Sequence, residues 1–385
     1  MKRLLYIFPT LNPGGAEKVA IQISNYLIEK YAYKITYFVY DDSNYYKPII
    51  NKNINIIQYG HQHRYSSKIL WWYYYYINIG FALITSVRST DYDVIISVHE
   101  QVPEIASVWL WAYNLFFGKN IKKKIISVIS TSLVGVHDDR THMSSRVLFT
   151  ILKNIRRYTF GTVVVLSKSV LRNIQNYHTY IIVIPNPIDF KYLKQSTQGH
   201  NIILHRQKPY LLFVASVTAH KNPLLLLQAY EKVYNVIKYN LIMIGHISDK
   251  NVYREINDFI NEKKIGKRII ILSPVDNLYS FIANAKGVVL VSNYEGMPMI
   301  LLEAMALKVP IITTRYEGCE EYFDDTIATL IEKNSVEELS ATLLECEQKY
   351  MKFKNKTKKA FQYCQEFSID NIGEKYHQLF MSKKE

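Results

Sequence analysis

Cysteine is scarce: Cys319, Cys346 and Cys364 are the only thiols in 385 residues, odd in number and clustered late. That pattern excludes a disulfide scaffold and shows no metal-ligand spacing, so a reducing compartment and inert, buried thiols are expected. No paired Asp/His or Cys/His pattern stands at metal spacing, and no Asp-x-Asp sits where a metal-dependent enzyme would hold its cation. Neither a bound metal nor a cofactor is therefore expected. Tandem repeats and low-complexity tails are absent too. The apolar run Leu4–Phe8 behind Met1-Lys2-Arg3 is cut at Pro9, too short for a secretory leader, and reads as a first buried strand.

Acidic residues are also in deficit. The net charge is +14, with 21 Lys/Arg against 11 Asp/Glu in residues 1–190 and 26 against 22 thereafter. An excess concentrated in the first half attracts nucleic acid, an anionic membrane or a phosphorylated substrate, and charge alone does not choose among them. No basic, aromatic-interleaved recognition motif stands out, so nucleic acid is not expected as a partner. With 49% apolar and 21% charged residues the chain is globular in composition, and its length suits two domains.

What is present is a regular alternation of short β-rich runs with longer helical patterns, which predicts an α/β fold of two doubly wound, Rossmann-like domains facing across a cleft. Strands are expected near 2–8, 34–40, 54–58, 94–98, 125–129, 162–166 and 181–184, then near 210–215, 240–244, 268–272, 288–291, 310–313 and 328–331. The polar stretch around Gln195-Ser196-Thr197-Gln198-Gly199 reads as a linker. The expected domains are 1–190, a linker over 191–208, a second domain over 209–365 and a final helix over 366–385.

Ligands bind such sheets at the C-terminal ends of the strands, and several motifs fall there. Glu295-Gly296-Met297-Pro298-Met299-Ile300-Leu301-Leu302-Glu303 sets two carboxylates eight positions apart across a loop-to-helix junction. Gly296 permits close approach and Pro298 suits the first helical position, which aims the N–H groups of Met299 and Ile300 at an anion such as a diphosphate. The two acids accept hydrogen bonds from sugar hydroxyls, so the whole suits a nucleotide sugar. Gly14 and Gly15 open the first helix in a loop fit for an anion or a hydroxyl, although a packing turn explains them as well. Lys221-Asn222-Pro223 opens another helix, placing an ammonium beside the same strand ends.

The stretch from Ser292 to Pro310, with Lys221–Pro223 and Pro185-Asn186-Pro187-Ile188-Asp189, resembles the retaining glycosyltransferases of family 4. The resemblance implies a GT-B architecture, a last helix that crosses back to the first domain, and a metal-independent hexosyltransferase. It implies that Glu303 holds the donor ribose, Glu295 lies near the transferred sugar and Lys221 neutralises the departing diphosphate. Donor contacts are implied for Gly296, Met297, Pro298, Met299, Ile300, Ser216, Gly245, Val275 and Asn186, with Gly14, Gly15, Ser130 and His137 lining the acceptor side. The family's first-domain histidine has no counterpart at Ser130-Thr131-Ser132; His99 and His137 are the candidates to face the sugar, and each also reads as a simple polar loop residue. Ala215-Ser216 replaces the family's Gly-Arg, removing one positive charge that His220 or Arg315 would have to supply; one lost donor of this type slows transfer by about two orders of magnitude.

Residues 69–87 carry no charge and include Trp71, Trp72 and Tyr73–Tyr76, a belt suited to a membrane interface and not to the hydrocarbon centre. A buried helix is expected, either wholly within the core or with its aromatic edge resting on the inner membrane face, helped by His61, His63, Arg64 and Lys122–Lys124. The expected activity is transfer of a sugar from a nucleotide sugar, UDP-sugar favoured, to a lipid-linked or oligosaccharide acceptor in surface polysaccharide or glycolipid synthesis. The expected location is cytoplasmic and peripheral to the cytoplasmic membrane. The rivals are a sugar-nucleotide epimerase of the same fold and a weakly active donor-binding subunit of a polysaccharide complex.

Overall fold

The computed structural model describes residues 1–41, 45–58, 80, 82–87, 91–98, 124–129, 161–175, 180–197 and 208–383. The chain forms two compact units, one of Met1–Pro187 with Ile369–Glu385 and one of Ile188–Ser368.

In the first unit the strands are β1 (Arg3–Phe8), β2 (Lys34–Val39), β3 (Asn55–Gln58), β4 (Val94–Val98), β5 (Ile125–Ile129), β6 (Thr162–Val165) and β7 (Ile181–Val183). They form one sheet in the order β3-β2-β1-β4-β5-β6-β7, and every pair is parallel. Parallel strands are covered on both faces, which is why β4 and β6 are buried from end to end and built of Val, Ile, Ser and Thr. Helix α1 (Gly15–Tyr31) starts from Gly14 in extended backbone and stops where Ala32 turns left-handed, at φ 54°. Helix α2 (Lys168–Ile174) is capped by Ser167, whose hydroxyl accepts from the Val170 N–H. Residues 82–87 are helical, and Leu83 and Val87 pack with Leu5, Ile7, Phe38 and Ile95. The aromatic belt at 71–76, His61, His63, Arg64, Lys122 and Lys123 lie outside the described residues. Lys124 pairs with Asp91 at 3.4 Å. Among the described residues no helix is long and apolar enough to cross a membrane.

The second unit begins with α3 (Phe190–Thr197) and continues through β8 (Tyr210–Val214), α4 (Pro223–Val233), β9 (Asn240–Ile244), α5 (Lys250–Lys263) and β10 (Ile269–Leu272). It goes on with α6 (Leu278–Asn284), β11 (Gly287–Leu290), α7 (Met299–Ala306), β12 (Ile311–Thr314), β13 (Thr329–Ile331), α8 (Val336–Gln348) and α9 (Tyr350–Cys364). Its sheet runs β10-β9-β8-β11-β12-β13, again wholly parallel. The stretch read as a linker is thus helical over Phe190–Thr197, with Leu193 buried and the Asp189 carboxylate accepting from the Tyr192 N–H at 2.8 Å. The division between units falls at Pro187–Ile188 instead. A short amphipathic helix rich in Lys, Gln, Ser and Thr has the composition of a loop, which is why polarity alone misplaced it.

Helix α10 (Ile369–Ser382) completes the first unit by packing on α1. Gly373 makes this possible: a Cβ there would lie 2.3 Å from the Tyr26 ring. His377 stacks on Tyr31 with centroids 3.7 Å apart, and its Nδ1 lies 3.1 Å from the Tyr33 hydroxyl.

Candidate functional site

Two loops at the C-terminal ends of the neighbouring strands β8 and β11 build a buried polar cluster in the second unit. Beyond β8 the chain runs through a turn of 3-10 helix at Ala219–Lys221, and Asn222 reverses it in left-handed backbone at φ 50° before α4 begins at Pro223. Beyond β11, Ser292 to Glu295 lead toward α7. The Lys221 ammonium donates to Glu295 Oε1 at 2.5 Å, and the Ser292 hydroxyl donates to the same oxygen at 2.6 Å. The Thr314 hydroxyl, from the end of β12, donates to the Ser292 carbonyl at 2.8 Å. Two further links tie the loops together: the Asn293 N–H donates to the His220 carbonyl at 2.8 Å, and the His220 ring stacks on Tyr294 at 5.0 Å. His220 Nδ1 also lies 3.1 Å from the Thr218 hydroxyl.

Both carboxylates are buried, Glu295 at 5% exposure and Glu303 at 2%. Glu303 sits in mid-helix on α7, where every residue from Met299 to Met305 is buried. Glu303 thus lies eight residues beyond Glu295, on the buried first turns of the helix that the Lys221–Glu295 pair precedes. Tyr316 is buried beside them; burial first, then the charges of Cys319 and Glu295, push its hydroxyl well above the ordinary tyrosine range, so it stays protonated.

Several positions differ from expectation. Pro298 is the residue before α7 and not its first residue: its ψ of 120° is extended, and its carbonyl accepts from the Leu301 and Leu302 N–H groups at 3.1 and 3.4 Å. Met299 and Ile300 therefore open the helix, and their N–H groups, lacking intrahelical acceptors, point out of its N-terminus. Gly245 is required by packing: a Cβ there would lie 1.8 Å from the Ala215 carbonyl oxygen, where the paired strands β8 and β9 end side by side. Arg315 is committed elsewhere, to Glu320, Asp325 and Glu332 at 3.3, 3.0 and 3.2 Å. It is not in a position to replace the missing arginine, which leaves His220 beside Lys221. Met297 is buried next to Pro298, Ser216 is half-buried after β8, and Val275 precedes Asn277, whose side chain caps α6.

In the first unit Asn186 is buried in the segment after β7. Gly15 is the exposed first residue of α1, but Gly14 is occupied. The Tyr46 hydroxyl accepts from its N–H at 3.0 Å and donates to its carbonyl at 2.8 Å, while the Glu17 carboxylate lies so close that a Cβ on Gly14 would collide with it. With that acid in place, the loop suits a hydroxyl better than an anion. His99, Ser130 and His137 lie outside the described residues. Among the described residues no group of three His, Cys, Asp or Glu is spaced to hold a metal ion. Thr314 and the His220–Tyr294 stack escaped the sequence reading, because each depends on strands adjacent only in the folded sheet.

Residues 197–360 match the family model described as glycosyl transferases group 1. Over its whole length the chain is 22% identical to a Campylobacter jejuni protein, covering 99% of it, named GalNAc-alpha-(1->4)-GalNAc-alpha-(1->3)-diNAcBac-PP-undecaprenol alpha-1,4-N-acetyl-D-galactosaminyltransferase. A second C. jejuni protein, N-acetylgalactosamine-N,N'-diacetylbacillosaminyl-diphospho-undecaprenol 4-alpha-N-acetylgalactosaminyltransferase, is 27% identical over 39% of this chain and 41% of its own. Among solved structures, Anabaena HepE in complex with UDP and glucose superposes with a TM-score of 0.80 over 99% of this chain and 100% of that one, at 14% identity. The fold is GT-B, two parallel-sheet Rossmann-like units.

Proposed function

We propose that this chain is a retaining, metal-independent glycosyltransferase that moves a hexose or N-acetylhexosamine from a UDP-sugar to a saccharide carried on a polyprenyl diphosphate. The observation that carries the reading is the Lys221–Glu295 pair beside the N-terminus of α7, with the buried Glu303 further along the same helix. The group 1 match covers these residues, and the whole-length relative bears the name of an undecaprenol-linked sugar transferase.

In this mechanism Glu303 accepts hydrogen bonds from the donor ribose. The N–H groups of Met299 and Ile300 receive the diphosphate, which the helix N-terminus favours. Glu295 orients both Lys221 and the sugar. As the glycosidic bond breaks, negative charge grows on the leaving UDP, and the Lys221 ammonium, already fixed, stabilises it without reorganising. The His220 ring lies on the same loop, where Ser216 supplies no charge. Met297, Pro298, Gly296, Ser216, Val275 and Asn186 line the donor; Gly15 and the residues His99, Ser130 and His137 belong to the acceptor side. The enzyme works at the inner face of a membrane, where its acceptor resides, in surface-glycan assembly.

The test is a thermal-shift screen of UDP-, GDP- and ADP-sugars, followed by transfer to a polyprenyl-diphosphate saccharide with the product anomer read by NMR. UDP-sugars are expected to raise the melting temperature, because binding to the folded state adds stability, and the product is expected to keep the donor's α configuration. An inverted product sinks retention, and release of an altered free sugar without acceptor replaces the reading by an epimerase.

A further inference from the structure

The lysines around α9 fall into two sets. On one flank Lys349 and Lys352 pair with Glu345 at 3.2 and 3.1 Å, and Lys356 donates to the Ala328 carbonyl at 2.7 Å. The opposite flank carries Tyr350, Lys354 and Phe361, four and seven residues apart and hence in one row. Lys354 donates to the Lys308 carbonyl at 2.6 Å; the Lys308 ammonium sits 4.3 Å from the Phe361 ring centroid, and that of Lys286 sits 5.2 Å from the Tyr350 centroid. Three ammonium groups from three separate segments are thus lined up along one helix. None of the three forms an ion pair among the described residues. Burial, then the charges of Lys286 and Lys308, holds the Lys354 ammonium below the usual lysine range, so the row feels its own repulsion. Beside it on the same helix lie exposed Lys358 and Met351, the latter 64% exposed.

Uncompensated like charges need anions, and the row's length decides which kind. From Tyr350 to Phe361 the helix rises about 16 Å, roughly two Debye lengths in physiological salt. One phosphate cannot neutralise both ends; a surface of many phosphates can. The exposed Met351 thioether beside the lysines adds the apolar component that interfacial binding uses. We propose that this flank of the second unit is a seat for an anionic membrane surface, with Lys286, Lys308 and Lys354 over lipid phosphates and Met351 entering the headgroup region. This deepens the membrane location proposed above and rests on residues of the second unit alone. Its test reads vesicle binding and not transfer, so it stands or falls apart from the catalytic reading.

The full chain is floated with phosphatidylcholine vesicles and with vesicles that also contain phosphatidylglycerol. Binding is expected only to the latter. Lys286→Gln, Lys308→Gln and Lys354→Gln combined should weaken it roughly a hundredfold, near the additive effect of three charges at such a surface. Lys232→Gln, Lys349→Gln and Lys352→Gln combined, which removes the same charge from paired lysines, should bind as the parent does. Met351→Ser should weaken binding several-fold while keeping the anionic preference, with melting curves confirming that each variant is folded. The proposal is overturned if the row variant binds like the parent, or if the control loses as much. A parent that ignores anionic vesicles overturns both this seat and the membrane location. Stabilisation by inorganic phosphate that the row variant loses, without vesicle binding, would assign the lysines to a small anion instead.

Discussion

Glu295 has its charge matched before any ligand arrives, by an ammonium and a hydroxyl on one oxygen. Removing only Lys221 strands a buried carboxylate, so Lys221→Met is expected to lower unfolding free energy by about 3 kcal/mol, the low end for broken buried pairs because the lysine is partly exposed. Adding Glu295→Gln should restore part of that loss. A double-mutant cycle by urea denaturation checks it, and additive effects would mean the pair is not coupled. Glu303→Gln tests binding instead: losing a charge-assisted hydrogen bond of ~1.5–3 kcal/mol predicts a fall in kcat/KM of ten- to a hundredfold, with donor affinity falling in step. Gly245→Ala should damage folding without touching a ligand, since the new methyl meets the Ala215 carbonyl of an adjoining strand end. The three thiols offer a pH test. Burial pushes Cys319, Cys346 and Cys364 each up to about 12, so the native protein should resist iodoacetamide at pH 8. Because an unfolded thiol ionises near 9, that contribution to stability is intact below this pH and is lost as pH climbs toward about 12.

Elements were the most legible scale. All thirteen expected strands are present within a residue or so at each end, because strands of doubly covered parallel sheets are unbroken β-branched runs set between polar helices. The short helix Phe190–Thr197 was hidden by its polar composition, and the start of α7 was displaced by one residue because proline's fixed φ suits both the cap and the first turn. The two acids of the candidate site could be found from their spacing, since loop and helix are contiguous there. The Thr314 tie and the occupation of Gly14 by Tyr46 could not, because each joins residues more than twenty positions apart; the diversion of Arg315 depends on how the loop after β12 folds back on Glu320, Asp325 and Glu332. The docking of α10 on α1 is a further element-level test: Gly373→Ala forces a methyl against the Tyr26 ring and should cost about 1–3 kcal/mol. Earlier proteolytic release of residues 369–383 would reveal it; unchanged proteolysis and melting would show that the ring simply swings aside.

At the scale of the molecule, the donor reading confines ligand effects to one unit. Hydrogen exchange with UDP present is expected to slow at 216–222 and 292–303, leaving β1 to β7 unchanged. Protection centred in the first unit's sheet would move the donor site. The order of the units along the polypeptide also bears on biogenesis. Ile188–Ser368 is uninterrupted, whereas the partner body waits for a helix encoded after it. At ribosomal speeds of about 5–20 residues per second, the α1 surface that Gly373, Glu374 and His377 eventually cover stays bare for roughly 15–70 s. During that interval its tyrosines Tyr26, Tyr31 and Tyr33 are available to chaperones, and a ribosome stalled late in the message would yield a product with a sound rear half and an unfinished front one.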